Sequence, residues 1–560
     1  MLATWQVHPA NPRRAHALAD AARVHPFTAQ CLLNRGLATA AEVKRFFHPS
    51  LSSLGNPNGL PDLDRAVARI QAAVSRGESV LIFGDSDVDG LTASVILHEV
   101  LRSLGASVRA VPSNRIEDGY GLPESLVDEL CNSSIALLIM VDCGTNQPEA
   151  VRRLEAHGID TIIVDHHLPL EAGARPHALV NPHRSHQAPY QELCSAGLAL
   201  KLAQALLGDG ADERLAEYLD LAALGTLADY SPLIGDNRVI VSEGLPRIVQ
   251  SARLGLRRLC EDTQTREPSA DQIIKRLVPR LNASGRLGDA TSVWRVLCRE
   301  HPDQHEAWAA QAEAAHKSTK QLQRQIIAQA QEQVNRLHFK DQYVLVVSRT
   351  GWHQGLMGPL AAQLAQQHGR PAIAIAMDEE QGTGSGRSVP SLNLLEALKG
   401  CQEVLVRFGG HAQACGLTVN RRQLETFRML VNQQAKTLLG DAGLAQPRWV
   451  DLELPLKAVE LGWVEELERF APFGQGNPRP TVLIRGVTIE AKSPRSAMLS
   501  DKHSRLPATG TLPQAAAGEH YDVIASPMGL TRQLRLALRD VKVSAGPSAR
   551  GPHAGTRYTP

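Results

Sequence analysis

The sequence predicts an α/β protein: a parallel-sheet domain joined by a long helix to a second α/β domain, with an all-β module at the C-terminal end. Three observations carry that expectation. From about residue 78, short apolar runs (SVLIFG, SVRAVPS, IALLIMVD, DTIIVDHH) alternate with helix-length segments such as LTASVILHEVLRSLG. Strands alternating with helices imply a parallel sheet covered on both faces. Residues 305–337 contain neither proline nor glycine and are rich in Ala, Gln, Glu, Lys and Arg, the composition of a long helix. Beyond about residue 445, strand-like pieces (TVLIRGVTIE, YDVIASP, RQLRLALRDVKVS) stand between turn-rich segments, which fits a barrel or a sandwich equally.

In chain order, residues 1–55 read as a helical N-terminal extension, in which LLNRGLATAAEVKRFFHPS forms a helical pair. Residues 56–299 hold the first strand–helix domain, and residues 300–340 the long helix. The helix has too weak a heptad pattern for a coiled coil and is read as a connector. YVLVVS and PAIAIAMD open the second α/β domain at 341–440. The β-module occupies 445–545, although 491–520 shows no clear strand alternation. The Gly/Pro/Ser-rich residues 546–560 are expected to be disordered.

Composition narrows the class. At 560 residues the chain exceeds one ordinary core, and about two to four domains are expected. Hydrophobic residues make up 43% and charged residues 21%, ordinary for a globular protein. Net charge is +1, so a nucleic-acid groove has to be a local feature. The eight cysteines include no CxxC pair, which suggests reduced thiols and a cytoplasmic location. The first residues lack the apolar core of a signal peptide, and no apolar run approaches the ~18 residues of a membrane span.

The chemistry is concentrated where the apolar runs stop. VLIFG leads to Asp85, Asp87 and Asp89; IALLIMV leads to Asp142; TIIV leads to Asp165, His166 and His167. Ligand groups in open parallel sheets gather beyond the carboxyl ends of the strands, so these clusters should face one crevice. Asp229, after the apolar segment LAALGTLA, is a candidate to close the set. So many carboxylates cannot all ionise together without counter-charge. Divalent cations supply it, and oxygen ligands with imidazole suit Mn²⁺ or Mg²⁺. Two ions bridged by one carboxylate, about 3.5–4 Å apart, are an arrangement used for in-line displacement at phosphorus. A lone aspartate after a strand is more often a turn or helix cap; acids at several separate strand ends favour the metal. DSDVDG also imitates the start of a calcium loop, but Ile96 stands where that loop needs glutamate.

These residues resemble the DHH phosphoesterase superfamily, and within it the single-strand-specific exonucleases. GDSDVDG, SNRIEDGYGL, VDCGT, VDHH, GTLADYSPL and PRLNASGRLGDA follow the family's order. GWHQGLMG, GTGSGRSVPS and RFGGHAQACG are similar to the associated DHHA1 domain, and FAPFGQGNPRP resembles the entry to an OB-like module. The resemblance implies metal ligation by Asp87, Asp89, Asp142, His166 and Asp229, with Asp142 bridging and His167 at the phosphate. Asp85 joins the metal candidates, and Asp165 orients His166. Arg115, Arg286, Ser385 and Arg387 map to a 5′-end pocket. His353 and His411, with Gly409 and Gly410, line the DNA path. Arginine's planar fork suits phosphate, and glycine-rich turns such as GTGSGRS and RFGGHAQACG let backbone N–H groups approach it.

Departures from the family pattern are Ser86 and Val88 between the first aspartates and Cys143 after Asp142; none removes a ligand. Aromatic content of 4% leaves few base-stacking platforms. The implied activity is a two-metal, 5′-to-3′ exonuclease that degrades single-stranded DNA to 5′-mononucleotides in recombination and repair. A monomer is expected, with a single-strand-binding protein or a helicase as potential partner. The alternatives are a DHH phosphodiesterase for short oligonucleotides or cyclic dinucleotides, and a non-catalytic scaffold.

Overall fold

In the computed structural model, Ser79–Gly84 (SVLIFG) is a strand buried along nearly its whole length. Such all-apolar runs are what a sheet covered on both faces demands. It belongs to a five-stranded sheet ordered Ser107–Pro112, Ser79–Gly84, Ile135–Val141, Asp160–Val164, Ala178–Val180. Every pairing is parallel, as the alternating pattern requires. The structure describes residues 4–544 except 171–172, 209, 211, 266–268, 301–302, 338, 340–341, 441–442, 445–446, 513–518 and 531–532. The tail from 546 onward, expected to be disordered, lies outside the described residues.

The described residues divide into two compact units: those within 54–231 and 243–446, and those within 4–53, 232–242 and 447–544. The first unit holds the parallel sheet, the long helix and a second sheet. The long helix spans His305–Asn335. It is tied at one end by Arg280 Nε to Glu313 at 2.7 Å and at the other by Trp352 Nε1 to Gln329 at 2.7 Å. The second sheet is mixed, ordered Leu405–Gly410, Ala414–Asn420, Gln381–Arg387, Ala372–Met377, Leu345–Thr350.

That sheet corrects one expectation. GTGSGRS is no phosphate-cradling turn but part of the central strand Gln381–Arg387, whose backbone pairs on both sides. Its glycines face packed side chains. A Cβ at Gly382 would lie 2.2 Å from the Met377 sulfur, and one at Gly384 would lie 2.8 Å from Ile375. Alternation then places Ser385 and Arg387 together on the opposite face.

In the second unit, Val482–Ser493, Ser496–Ser500, Arg505–Thr509, Gln533–Val543 and Tyr521–Leu530 pair in that order, and the last closes on the first. The module is therefore a barrel. Ser496–Ser500 and Arg505–Thr509 fall within 491–520, where no strand alternation is legible. Their inward residues are few (Ala497, Leu499, Leu506, Ala508), and Met498 and Pro507 interrupt an outward face otherwise made of Ser496, Ser500, Arg505 and Thr509. The N-terminal helices Pro12–Ala22, Pro26–Asn34 and Ala40–Phe47 are part of this unit. Leu18, Phe27, Leu32 and Val43 share one apolar core with Trp463, Phe470, Tyr521 and Val523. No helix among the described residues is long and apolar enough to cross a membrane.

Candidate active site

Gly84, Val141 and Val164 are aligned across the parallel sheet. The next residue in each strand, Asp85, Asp142 and Asp165, still donates its backbone N–H to the neighbouring strand, at 3.3, 3.0 and 3.2 Å. Register therefore delivers the three acids to one edge.

From Asp85 the chain turns at once into the helix Val88–Ser103. Asp87 caps it, with one carboxylate oxygen accepting from the N–H groups of Asp89 and Gly90 at 3.1 and 3.2 Å. Gly90 is required here because a Cβ would lie 2.6 Å from the Asp85 carbonyl oxygen. Asp89, in the first turn of the helix, is held at both oxygens by the N–H groups of Ser195 and Ala196, each at 2.8 Å. Asp142 adopts a left-handed backbone (φ 61°), which aspartate tolerates better than most residues. Its Oδ1 accepts from the Ser195 hydroxyl at 2.9 Å and lies 3.4 Å from His166 Nε2. Asp229 sits at the end of the helix Leu219–Ala228 rather than after a strand, and Ser231 donates to it at 2.7 Å.

Three groups of potential ligands result: Asp85, Asp87 and Asp142; Asp89, His166 and Asp229; and Asp142, His166 and His167. Within each, one ligand atom per residue lies within 4.8 Å of the others. All six sequence-predicted metal residues and His167 are included, and Asp142 and His166 each appear twice.

The electrostatics fit divalent cations. Burial, then the Asp89 and Asp87 carboxylates, push Asp142 well above the usual carboxylate range. Burial and then Asp229 push Asp89 up to about 6. Burial likewise raises Asp229. Burial opposes charge on His166, but Asp142, Asp229 and Asp89 outweigh it and lift the imidazole well above its ordinary value. Carboxylates so crowded protonate unless a cation neutralises them. A set of carboxylate oxygens with one or two imidazoles is the donor chemistry of Mn²⁺ or Mg²⁺.

Asp165 does something else. Its Oδ1 accepts from the N–H groups of His166 and His167 and lies 2.7 Å from His167 Nδ1. Burial works against its charge, yet the His167 hydrogen bond and the two histidines hold it below the usual carboxylate range. It therefore orients His167 directly, and His166 only through the backbone. His167 also meets the Tyr120 hydroxyl at 3.1 Å and stacks on His411, with ring centroids 5.5 Å apart and planes at 23°.

Asp85 and Arg115 occupy one another. Arg115 Nε lies 2.9 Å from Asp85 Oδ1 and Nη2 contacts Oδ2, while Ser113 and the Ser86 N–H complete the shell. Arg286 and Arg387 differ: neither pairs with a carboxylate among the described residues. Burial lowers the pKa of both; the Asp87 carboxylate partly opposes this at Arg286, and each also feels another arginine, Arg286 from Arg387 and Arg387 from Arg115. Arg387 Nη1 lies 3.3 Å from the Ser385 hydroxyl. His353 lies near Arg286: it accepts from the Gly355 N–H at 3.2 Å, and Gly355 abuts the Arg286 carbonyl. Gly409 and Gly410 end the strand before His411, and Gly410 (φ 128°) allows the tight turn.

Sequence reasoning missed Ser113, Tyr120, Asn282, Ser195 and Ala196 as supports. The first two lie inside SNRIEDGYGL, and Asn282, which accepts from the Val88 N–H at 3.0 Å, lies inside PRLNASGRLGDA. Ser195 and Ala196 leave no signal, since CSAGLAL reads as an apolar helix.

Known proteins resemble this chain domain by domain. The DHH family N-terminal domain matches residues 79–226, the DHHA1 domain 341–437, and the RecJ OB domain 450–511. The single-stranded-DNA-specific exonuclease RecJ of Dickeya dadantii is 33% identical over 80% of this chain and 81% of its own length. The Bacillus subtilis protein of the same name is 32% identical over 87% of this chain, which spans 62% of that relative. A crystal structure of RecJ from Thermus thermophilus in complex with Mn²⁺ superposes with a TM-score of 0.83 at 27% identity, covering 96% of this chain and 79% of that one. A second, with Mg²⁺, gives 0.76 at 26%, covering 96% and 78%. With DHH, DHHA1 and OB domains in order along the chain and an acid-and-histidine centre in the first, the chain belongs to the RecJ family of single-stranded-DNA-specific exonucleases.

Proposed function

We propose that this chain hydrolyses single-stranded DNA from its 5′ end, releasing 5′-mononucleotides, with two Mn²⁺ or Mg²⁺ ions. The observation that carries the reading is the set of three ligand groups in which Asp142 links one pair and His166 the other. Asp87, Asp89, Asp142, His166 and Asp229 would hold the ions, with Asp142 between them. The chemistry supplied by such a pair is Lewis-acidic: it makes water nucleophilic near neutral pH and offsets charge developing on phosphate oxygens.

The chain's own groups do the rest. Asp165 fixes the His167 ring, and His167 and His411 form a stacked imidazole wall for the scissile phosphate. Arg286 and Arg387, without carboxylate partners among the described residues, offer the guanidinium forks for a terminal phosphate, and Ser385 adds a hydroxyl beside Arg387. Arg115 serves mainly to neutralise Asp85. The closed barrel is of a type that binds single strands. A single-strand-binding protein or a helicase are the partners this reading favours, with the chain acting as a monomer in the cytoplasm in repair and recombination. The eight free cysteines suit a reducing compartment.

The test is digestion of 5′-labelled and 3′-labelled single strands, with duplex controls, in Mn²⁺, Mg²⁺ or chelator. Mononucleotide release from the 5′ label in metal only is expected. Release from the 3′ label first, or activity in chelator, would overturn it.

A further inference from the structure

Ser195 opens the helix Ser195–Leu207 and is completely buried. It touches two of the acids at once. Its hydroxyl donates to Asp142 Oδ1 at 2.9 Å and its N–H to Asp89 Oδ2 at 2.8 Å, while the Ala196 N–H takes Asp89 Oδ1 at 2.8 Å. Asp142 follows one strand and Asp89 lies in the helix that follows another, so this one helix start fixes the spacing between them.

The Asp89 contacts come from main chain and survive almost any substitution. The Asp142 contact comes from the side chain. In the structure, Asp142 Oδ1 has a second neighbour, His166 Nε2 at 3.4 Å. Were His166 to hold an ion through Nε2, that nitrogen would no longer be free to donate to Asp142. The Ser195 hydroxyl is then the one side-chain donor left on that carboxylate among the described residues. Without it, the Asp142 carboxylate is free to rotate about its terminal bond, a torsion with a broad energy well.

We infer that Ser195 is a positioning residue for the metal centre: its hydroxyl sets the orientation of the Asp142 carboxylate toward the ions. The inference rests on the two-ion reading above. Groups that hold a ligand rather than the ion typically change metal affinity by about 10- to 100-fold when lost. A hydroxyl that merely satisfied its own burial would change stability and leave metal affinity alone.

The experiment titrates Mn²⁺ into the full chain and follows free Mn²⁺ by electron paramagnetic resonance. Ser195→Ala and Ser195→Gly both remove the hydroxyl and keep the N–H on Asp89. Thr226→Ala removes a buried hydroxyl that donates to the Ala222 carbonyl and serves as the control. Both Ser195 variants should bind Mn²⁺ about tenfold or more weakly, with unfolding midpoints in chelator no lower than that of Thr226→Ala, whose Mn²⁺ affinity should match the parent's. Parent-like affinity in both Ser195 variants overturns the role of Ser195 while the two-ion reading stands. A parent chain that takes up no Mn²⁺ overturns both.

Discussion

Arg115 closes on Asp85 with two guanidinium nitrogens, Nε at 2.9 Å, and Asp85 pairs with no other cation among the described residues. Asp85 is 1% exposed and Arg115 41%. Burial opposes charge on both residues; the pairing outweighs it at Arg115, whose pKa rises, while at Asp85 burial still wins and, with Asp87, holds the carboxyl above its ordinary value. Arg115→Ala should therefore cost stability, because it leaves a buried carboxylate alone. About 2 kcal/mol is expected, below the value for a fully enclosed pair since Arg115 is partly solvated. Urea unfolding measures it. Asp85→Asn added to Arg115→Ala should recover most of the loss; a double variant as unstable as the single one would show that the pair is not the cause.

Arg387 should matter more than Arg115 for recognising a 5′-phosphorylated end. No carboxylate among the described residues satisfies it, and a hydrogen bond from a charged group contributes about 1.5–3 kcal/mol. Arg387→Ala is expected to weaken binding of a 5′-phosphorylated oligonucleotide by roughly 10- to 100-fold, equivalent to that energy. Binding to the same strand with a 5′-hydroxyl should change little. Fluorescence anisotropy with the two oligonucleotides reads the difference, and equal losses on both would remove Arg387 from the end pocket.

Asp142→Asn keeps a side chain that accepts the left-handed backbone at φ 61°. The fold should survive while the bridging charge is lost. Cleavage should fall by about a thousandfold or more, about 4 kcal/mol on the barrier, with single-strand affinity largely intact. Metal should also protect the parent and not the variant. An ion at about 100 times its dissociation constant stabilises the folded state by about 2.7 kcal/mol. Thermal melts with Mn²⁺ and with chelator check this; equal Mn²⁺ stabilisation of both proteins would contradict the bridging assignment.

Arg238 is 4% exposed and meets no carboxylate among the described residues. Its guanidinium instead donates to the carbonyls of Phe46, Phe470 and Ala471 at 2.9, 2.9 and 2.7 Å. It also lies over the Phe46 ring, 3.7 Å from the centroid. Burial pushes its pKa down to about 10, so it remains charged at neutral pH. Arg238→Met fills similar space but leaves those carbonyls unpaired. A loss of roughly 3 kcal/mol is expected, read by chemical denaturation, whereas nuclease activity per folded molecule should hold.

Much of the architecture was legible because it follows period and composition. The strand runs before Asp85, Asp142 and Asp165 are continuous apolar stretches, and the proline-free, glycine-free stretch 305–337 reads directly as a helix. The site was legible as far as it lies at strand ends. It was less so where a residue acts through its backbone: nothing in CSAGLAL tells that two amides reach Asp89. The pairing of Arg115 with Asp85 was equally hidden, since a guanidinium fits a phosphate and a carboxylate alike. GTGSGRS misled for a physical reason. Glycine marks a turn when it supplies an unusual φ, but here alternate glycines make room for Met377, Ile375 and Leu394 beneath a strand.

Residues 1–53 share a core with residues that follow 447. During synthesis, the three leading helices leave the ribosome with Leu18, Phe27, Leu32 and Val43 uncovered, and the segments that cover them do not yet exist. The unit of residues 54–231 and 243–446 is made in the meantime, but those early helices must wait, exposed to chaperones and proteases, until the barrel emerges.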